Sequence, residues 1–496
     1  MTGPFGSTLG TEDFISAGVP LLTIGCLTEH GVTLDKAFFI SEEKARQLSR
    51  YRVRSGDLLF SRSASVGRAG LVTERFADSV INYHLMRLRL ANSVIDPTLF
   101  ISYVRGSAVV ADYLREINHG ATRDGINTAG LLEMPVAVPP MLEQRRIVAK
   151  LDELFSDLDA GVAALGRARA NLKRYRAAVL KAAIEGRLTE RWRAEHPTKD
   201  SASQLLERIL AERRRKWEAD HRAKYAAAGR TPPKDWQAKY VEPKPPDTTG
   251  LPELPCGWCW ATVEQMGDVQ LGRQRSPKNR SDKYPTKYIR AANITEDGLA
   301  LDDILDMDFS PNEQATYRLA VGDIVLSEAS GSPDQVGKPA VWNGEIENCC
   351  FQNTVIRLRP AGPFSSYALV VFRDYYFNKR FAKVAAGVGI NHLSAAKFSV
   401  LPFPLAPLEE QALIVAEVEE RLSVLDAAES QIETNLLRSA RLRQSILKRA
   451  FDGKLVPQDP NDEPASVLLE RIRAERASAK NGTPLKRHPA RGRKEP

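Results

Sequence analysis

The residues in this sequence best suited to catalysis form incomplete sets. Cys256-Gly-Trp-Cys259 has the spacing of half a zinc site, but no second Cys-x-x-Cys and no histidine pair follows at ligand spacing, and Cys349-Cys350 could complete four thiolates only under strain. Gly331-Ser-Pro-Asp-Gln-Val-Gly-Lys338 is built like a phosphate-binding loop, yet it has one residue too many before its Gly-Lys pair and Pro339 where a magnesium-binding hydroxyl is required. Gly387-Val-Gly389 lacks the preceding strand and the third glycine of a dinucleotide loop. Pro333-Asp334 is not followed at short range by the acidic-x-Lys of a metal-dependent nuclease, no Asn-Pro-Pro-Tyr for amino-group methylation is present, and the 7 histidines do not cluster. These gaps predict a chain without an active site of its own, holding no catalytic residue, metal or cofactor.

The remaining polar chemistry suits binding. Ser61-Arg-Ser-Ala-Ser-Val-Gly-Arg68 follows one apolar strand, and Ser327-Glu-Ala-Ser-Gly-Ser332, running on to Lys338, follows another. Short hydroxyls and cations on a glycine-containing loop can reach phosphates or base edges; arginine suits guanine, asparagine or glutamine suits adenine, and glutamate suits cytosine. The candidate DNA contacts are Ser61, Arg62, Ser63, Arg68, Asn82 and Arg123, with Ser327, Glu328, Ser330, Lys338, Asn353 and His392 in the later part of the chain. A formal charge of +8, from 70 basic against 62 acidic side chains, fits a polyanionic partner without requiring one.

Loops of this kind need elements to hold them, and the clearest element is a long helix over 139–188. It occurs twice. Leu142-Glu-Gln144 returns as Leu408-Glu-Glu-Gln411, and from the glutamine onward Ile147 matches Ile414, Glu153 matches Glu420, Asp159 matches Asp426, Gly186 matches Gly453 and Leu188 matches Leu455, always 267 positions apart. Pro139 and Pro140 suit a helix start, Glu143 places a negative charge in the first turn, and Gly186 suits the stop. Leu151, Leu158, Leu165, Leu172 and Val179 fall seven apart, with Leu154, Gly161, Ala168, Tyr175 and Ala182 as companions, which is the narrow seam of a coiled-coil helix. In the second copy Val418, Leu425 and Ile432 hold the register and Ser439 interrupts it. The simplest partner of each helix is the other. Glu143, Gln144, Glu410 and Gln411 at the helix starts join the seam residues as candidates for helix pairing and subunit contacts.

The duplication extends beyond the helices. Residues 1–138 read as mixed strand and helix: strands near 20–24, 57–60, 69–73, 84–90 and 134–138, a helix over 97–114 and a loop over 118–125. Residues 251–407 restate this domain. Val321-Gly-Asp-Ile-Val-Leu-Ser327 lies over Ser55-Gly-Asp-Leu-Leu-Phe-Ser61, 351–359 over 81–89, 288–298 over 21–31, and Gly389-Ile-Asn391 over Gly125-Ile-Asn127. Residues 189–250 shift to a charged helical segment and a proline-rich extended linker. A version of that helical segment returns at 465–476, before a basic tail after 478 with the composition of a disordered segment. The fold class is therefore α+β: two similar mixed α/β domains, 1–138 and 251–407, separated by long helices at 139–188 and 408–455 that form an antiparallel coiled coil, with 189–250 and 456–496 as appended segments. At 496 residues the chain is long enough for several cores. Five cysteines without regular spacing, no signal peptide and no apolar run of spanning length predict a soluble cytoplasmic protein with no membrane partner.

In this arrangement the sequence resembles the specificity subunits of type I restriction-modification systems, over nearly the whole chain. The pieces that carry the resemblance are Pro-Pro-x-x-Glu-Gln-x-x-Ile at 139–147 with its second copy at 407–414, and the helix ends Leu-Lys-Ala-Ala-Ile-Glu-Gly-Arg-Leu at 180–188 and Leu-Lys-Arg-Ala-Phe-Asp-Gly-Lys-Leu at 447–455. Leu-Pro-Cys-Gly-Trp at 254–258 and the Gly-Asp-hydrophobic strand of both domains complete it. The resemblance implies two target-recognition domains, each reading one half of a split asymmetric site in double-stranded DNA. It also implies docking to methyltransferase and restriction (translocase) subunits, which would bind S-adenosylmethionine, ATP and magnesium and carry out adenine methylation and ATP-dependent cleavage. A helix of some 45 residues is on the order of 65 Å long and suits a spacer. One departure stands out: Met1 aligns near Asp268, so either the true start lies upstream or the first domain is a truncated form without the opening Leu-Pro-x-Gly-Trp strand, which in that case would expose a sheet edge. The competing expectation is a non-catalytic coiled-coil scaffold that binds no specific DNA.

Overall fold

In the computed structural model the described residues are 1–4, 8–28, 31–62, 67–90, 94–117, 125–197, 200–274, 283–330, 335–385 and 391–481. They fall into two units, Met1–Gly166 with Glu433–Pro496, and Arg167–Ile432. The division runs inside each long helix rather than at its ends.

At the centre of the first unit is the strand Leu58–Ser61, paired antiparallel with Ala69–Leu71 on one side and Leu85–Leu88 on the other. All four residues are buried because both faces are covered. Leu58 and Phe60 point into a core with Leu99, Phe100, Tyr103, Ile147 and Leu151, while Leu59 points the other way, toward Leu22, Leu27 and Ile81. A second sheet runs in the order Phe14–Ile15, Phe38–Ile40, Val19–Leu22 and Val80–Ile81. The expected helix over 97–114 is two helices, Pro97–Gly106 and Ala108–Ile117, broken where Ser107 adopts an extended conformation. Asp96 caps the first of them through the amides of Thr98 and Leu99.

The second unit repeats this plan. Ile324–Ser327 pairs with Pro339–Val341 and Val355–Pro360, and Gly267–Leu271 adds a fourth strand beside the latter. Ile324 and Leu326 face a core with Tyr367, Phe372, Ile414 and Val418; Val325 faces Ile289, Trp342 and Phe351. The Gly-Asp signature of both central strands has a shared cause. Gly56 and Gly322 turn the chain at φ +85° and +90°, and the buried aspartate that follows accepts from a nearby amide and from an arginine of the neighbouring strand. Asp57 takes Arg54 N at 2.8 Å and Arg89 Nε at 2.6 Å; Asp323 takes Ala320 N at 2.8 Å and Arg359 Nε at 2.8 Å.

Several expectations are corrected. Residues 134–138 form no strand. In the second unit the matching strand, Pro402–Leu405, is paired with Cys259–Thr262, and among the described residues of the first unit no strand takes that place. The start of the chain is shifted by about two positions from the expected alignment: Thr2 bridges Met86 and Gly3 N donates to Leu85 O, as Leu271 pairs with Ile356 and Gly272 N donates to Val355 O. The proline-rich stretch is not a free linker. It folds back on the helix Ala202–Ala227, where Trp236 stacks on Trp217 at 5.7 Å, and Thr262 Oγ1 donates to Lys244 O at 2.9 Å. The helix Ala465–Asn481 extends past the point where the tail was expected to begin, and residues 482–496 lie outside the described residues.

Candidate nucleic-acid interface

Three segments converge at the exit of the central strand in each unit. In the first, Ser61 closes the loop that follows it: Ser61 N donates to Arg68 O at 2.8 Å and Ser61 Oγ accepts from Arg68 N at 3.0 Å. Arg62 N then donates to His84 O at 3.0 Å, in the turn before the last strand, and Arg62 O accepts from Ile126 N at 2.9 Å, in the segment entering the short helix Thr128–Leu132. In the second unit Ser327 makes the same closure with Lys338, Glu328 N donates to Thr354 O at 2.8 Å and Glu328 O accepts from Leu393 N at 2.9 Å. Residues far apart in sequence thus frame one surface, twice. This equivalence sets Ile126 against Leu393, 267 positions apart, with Asn127 and Ser394 as matching helix caps. It overturns the expected overlay of Gly389-Ile-Asn391 on Gly125-Ile-Asn127.

The sequence-derived candidates separate accordingly. Ser61 and Ser327 are buried and act as loop closures, with Ser327 Oγ also donating to Gln335 O at 3.0 Å. Asn82 caps its own turn, its Oδ1 accepting from His84 N at 3.2 Å, and Asn353 N donates to Arg273 O at 3.0 Å. Arg68 is exposed at the foot of its loop, whereas Arg62 and Lys338 are half-buried. Glu328 is buried, not presented to a base, and His392 Nε2 sits 2.5 Å from its carboxylate. Burial raises the Glu328 carboxyl above the usual range, with His392 acting against the shift. Ser63 and Arg123 lie outside the described residues, as does the side chain of Ser330. Tyr83 and His84, whose rings meet at a tilt with centroids 3.7 Å apart, also belong to this surface and were not anticipated. Their signal was positional: they occupy the turn that the duplicate fills with Asn353 and Thr354.

The helix-start motif has a different role from the one expected. Gln144 is fully buried; its amide donates to Val94 O at 3.0 Å and Pro139 O at 2.9 Å, and its Oε1 accepts from Asp96 N at 2.9 Å. Gln411 donates to Ala406 O at 2.8 Å. Glu410 is fully buried and accepts from Thr189 Oγ1 at 2.6 Å, from Trp258 Nε1 at 2.8 Å and from Arg193. Glu143 is buried as well. Gln144, Glu410 and Gln411 fasten each helix start to its own unit, and all four side chains are buried; the Trp258–Glu410 contact ties the Leu-Pro-x-Gly-Trp and Glu-Gln motifs together physically.

The long helices are Met141–Ile184 and Leu408–Phe451, each closed by a glycine at φ +68°, Gly186 and Gly453. Within each unit their segments run antiparallel. In the first, Asp159 pairs with Arg443, and Leu151 lies in a core with Ile446 and Leu447. In the second, Arg169 meets Glu429 at 3.3 Å and Arg176 meets Asp426 at 2.5 Å, while Val179 shares a core with Val418 and Leu425. Leu151, Val179, Val418, Leu425 and Ile432 are buried; Leu158, Leu165 and Leu172 are half-buried, and the companions Gly161 and Tyr175 are exposed. Charge explains the direction. Residues 160–184 carry Arg167, Arg169, Lys173, Arg174, Arg176 and Lys181 and no acid, whereas 409–433 carry eight acids and one base; 434–451 are again free of acids. Antiparallel pairing sets basic against acidic text in both units, and parallel pairing would oppose like charges.

Lys338 leads into a strand, Pro339–Val341, and not into the helix that a phosphate loop requires. Cys349 and Cys350 are buried in cores other than the one Cys259 packs against, and burial pushes both thiols up to about 12. Among the described residues no group of three or more metal-ligating side chains occurs, and no helix is long and apolar enough to cross a membrane.

The architecture is a duplicated sheet that presents loops, joined to long helices, and residues 7–164 match the type I restriction modification DNA specificity domain. The chain is 25% identical over 396 residues to the specificity subunit of the type I restriction enzyme EcoKI from Escherichia coli, across 77% of this chain and 72% of that one. It is 25% identical over 392 residues to the StySPI specificity subunit from Salmonella potsdam, across 76% and 72%. A solved chain from a type I R-M system shares the fold with a TM-score of 0.59 at 18% identity, covering 88% of this chain and 92% of that one. Over most of its length the chain is therefore similar to the specificity subunits of type I restriction enzymes.

Proposed function

We infer that this protein is the DNA sequence-reading subunit of a type I restriction-modification complex, each unit reading one half of a bipartite, asymmetric site. The observation that supports the reading best is the twofold occurrence of one frame, three backbone segments fixed at the exit of a buried strand, carrying different side chains: Arg62 with Gly125 in one unit, Glu328 with His392 in the other. A shared frame with different surface chemistry is what two different half-sites require. The chain itself is non-catalytic. Methyltransferase subunits, binding S-adenosylmethionine, and restriction subunits, binding ATP and magnesium, act on the DNA that it selects, in the cytoplasm. The long helices serve as spacer and docking surface; because the Glu-Gln starts are buried, partners grip exposed helix positions such as Tyr175 and Leu442.

The deciding experiment is selection from random-sequence duplexes by the full chain in complex with its methyltransferase subunit. A split consensus with two fixed half-sites and an unread gap is the expected result. Equal affinity for selected and scrambled duplexes would reject the reading in favour of a scaffold without DNA specificity.

A further inference from the structure

The framed surface of the second unit contains an ion pair with no counterpart among the described residues of the first. Glu328 follows the last residue of the central strand and its side chain is 7% exposed, while that of His392, 64 positions later, is 51% exposed. Their segments form a two-stranded antiparallel ribbon, Ala329 opposite His392 and Ser330 opposite Asn391, and the next residue, Leu393, is buried and donates its N–H to Glu328 O. Backbone and side chain therefore fix the same pair.

We propose that His392 is a specificity-determining contact of this unit and that Glu328 is its positioning residue, holding Nε2 so that Nδ1 is offered to the duplex. The inference rests on the reading that the unit binds DNA. A carboxylate is acceptor-only, so Nε2 must carry the hydrogen between them. This fixes what the outer edge of the ring can do. In the neutral ring Nδ1 is an acceptor, which matches the amino group of adenine or cytosine. In the charged ring it is a donor, which matches O6 or N7 of guanine, or a phosphate. The same pair can thus favour different partners on either side of histidine titration. Desolvation of Glu328, which raises its carboxyl, is offset only while the imidazole stays in place, so the carboxylate also has reason to hold the ring.

The helix Arg380–Ala385 packs against the strand of His392; its Arg380 is engaged with Asp374 at 3.5 Å, and its Lys383 is exposed. In the first unit the equivalent positions are Arg62 and Gly125, an arginine and a residue with no side chain. Preference in that half-site should accordingly not respond to substitution of either member of the pair.

The test is duplex selection by the full chain with its methyltransferase subunit, at about pH 6 and about pH 8, for the unaltered protein, His392→Gln and the near-isosteric Glu328→Gln. Both half-sites are read from the same selected pool, so each experiment contains its own control. In the unaltered protein one base pair of one half-site should change preference with pH. His392→Gln should lower discrimination at that base pair by roughly five- to a hundredfold and abolish the pH effect. Glu328→Gln should shift the pH profile to lower values, because a neutral amide no longer favours the charged ring, a change that a merely structural role would not produce. The other half-site should remain unchanged, which also shows that the variants are folded. A bipartite site whose two halves respond to neither variant would overturn this proposal while leaving the DNA-reading role intact. Failure of the unaltered protein to select any split site would overturn both.

Discussion

Arg193→Ala is the perturbation whose consequence follows most directly from the structure. Glu410 has no exposed surface, and the side chain of Arg193, the one cation that contacts it, is only 15% exposed. Without that cation the carboxylate keeps two neutral donors, Thr189 Oγ1 and Trp258 Nε1. Removing one member of a buried ion pair costs about 3–5 kcal/mol, against about 0–1 kcal/mol for an exposed one. Arg193 also donates to Gly186 O at 2.9 Å, so part of the loss arises at the end of the first long helix. The cycle with Glu410→Gln separates the two parts: the double variant has neither charge and should lose less than the sum of the singles, with a coupling of about 1–3 kcal/mol. The assay is selective by composition. All 6 tryptophans lie between Trp192 and Trp342, so urea unfolding followed by tryptophan fluorescence reports on this unit alone. A loss under about 1 kcal/mol for Arg193→Ala, or additive single-variant losses, would refute the claim that a buried charge fastens the helix start.

Other consequences can be measured in the same protein. Asp374 is buried, and its carboxyl is raised from 3.8 to about 6 by desolvation, against the pull of Arg380 and Asn378. The folded state therefore holds this proton more tightly than the unfolded chain, so the contribution to stability is complete below about pH 4 and is lost as pH rises through about 6. Asp374→Asn should flatten the fluorescence-detected urea midpoint across that window; an unchanged slope would count against a buried carboxyl. Ser327→Ala leaves Lys338 N and Gln335 O without their side-chain partner at the base of the loop and should cost about 1 kcal/mol, with faster hydrogen exchange at the Lys338 amide as the specific sign. Inserting one heptad at equivalent places in both long helices should lengthen the unread gap in the selected DNA without changing either half-site; an unchanged gap would reject the spacer role.

Much of the architecture was legible because repetition is a property of sequence alone. The constant offset of 267 exposed the duplication, the heptad from Leu151 to Val179 exposed the helix seam, and the acid-free stretches at 160–184 and 434–451 orient the pairing without reference to coordinates. The Gly-Asp strands were legible too, since a turn glycine followed by a short apolar run needs only local rules. The roles of single polar residues were not. Glu410 and Gln144 read as candidates for helix pairing and subunit contacts and are buried locks, because their partners, Trp258, Arg193 and Val94, are brought to them by chain folding and by no spacing in the sequence. Ser61 and Ser327 read as DNA contacts and prove to close the loops they begin. The 134–138 segment has the text of a strand, yet strand formation depends on a hydrogen-bonding neighbour that residue type cannot supply. The pairing of Glu328 with His392 is the clearest case. Each residue was a candidate on its own, and only tertiary structure, by placing two distant loops in one ribbon, made one of them the support of the other.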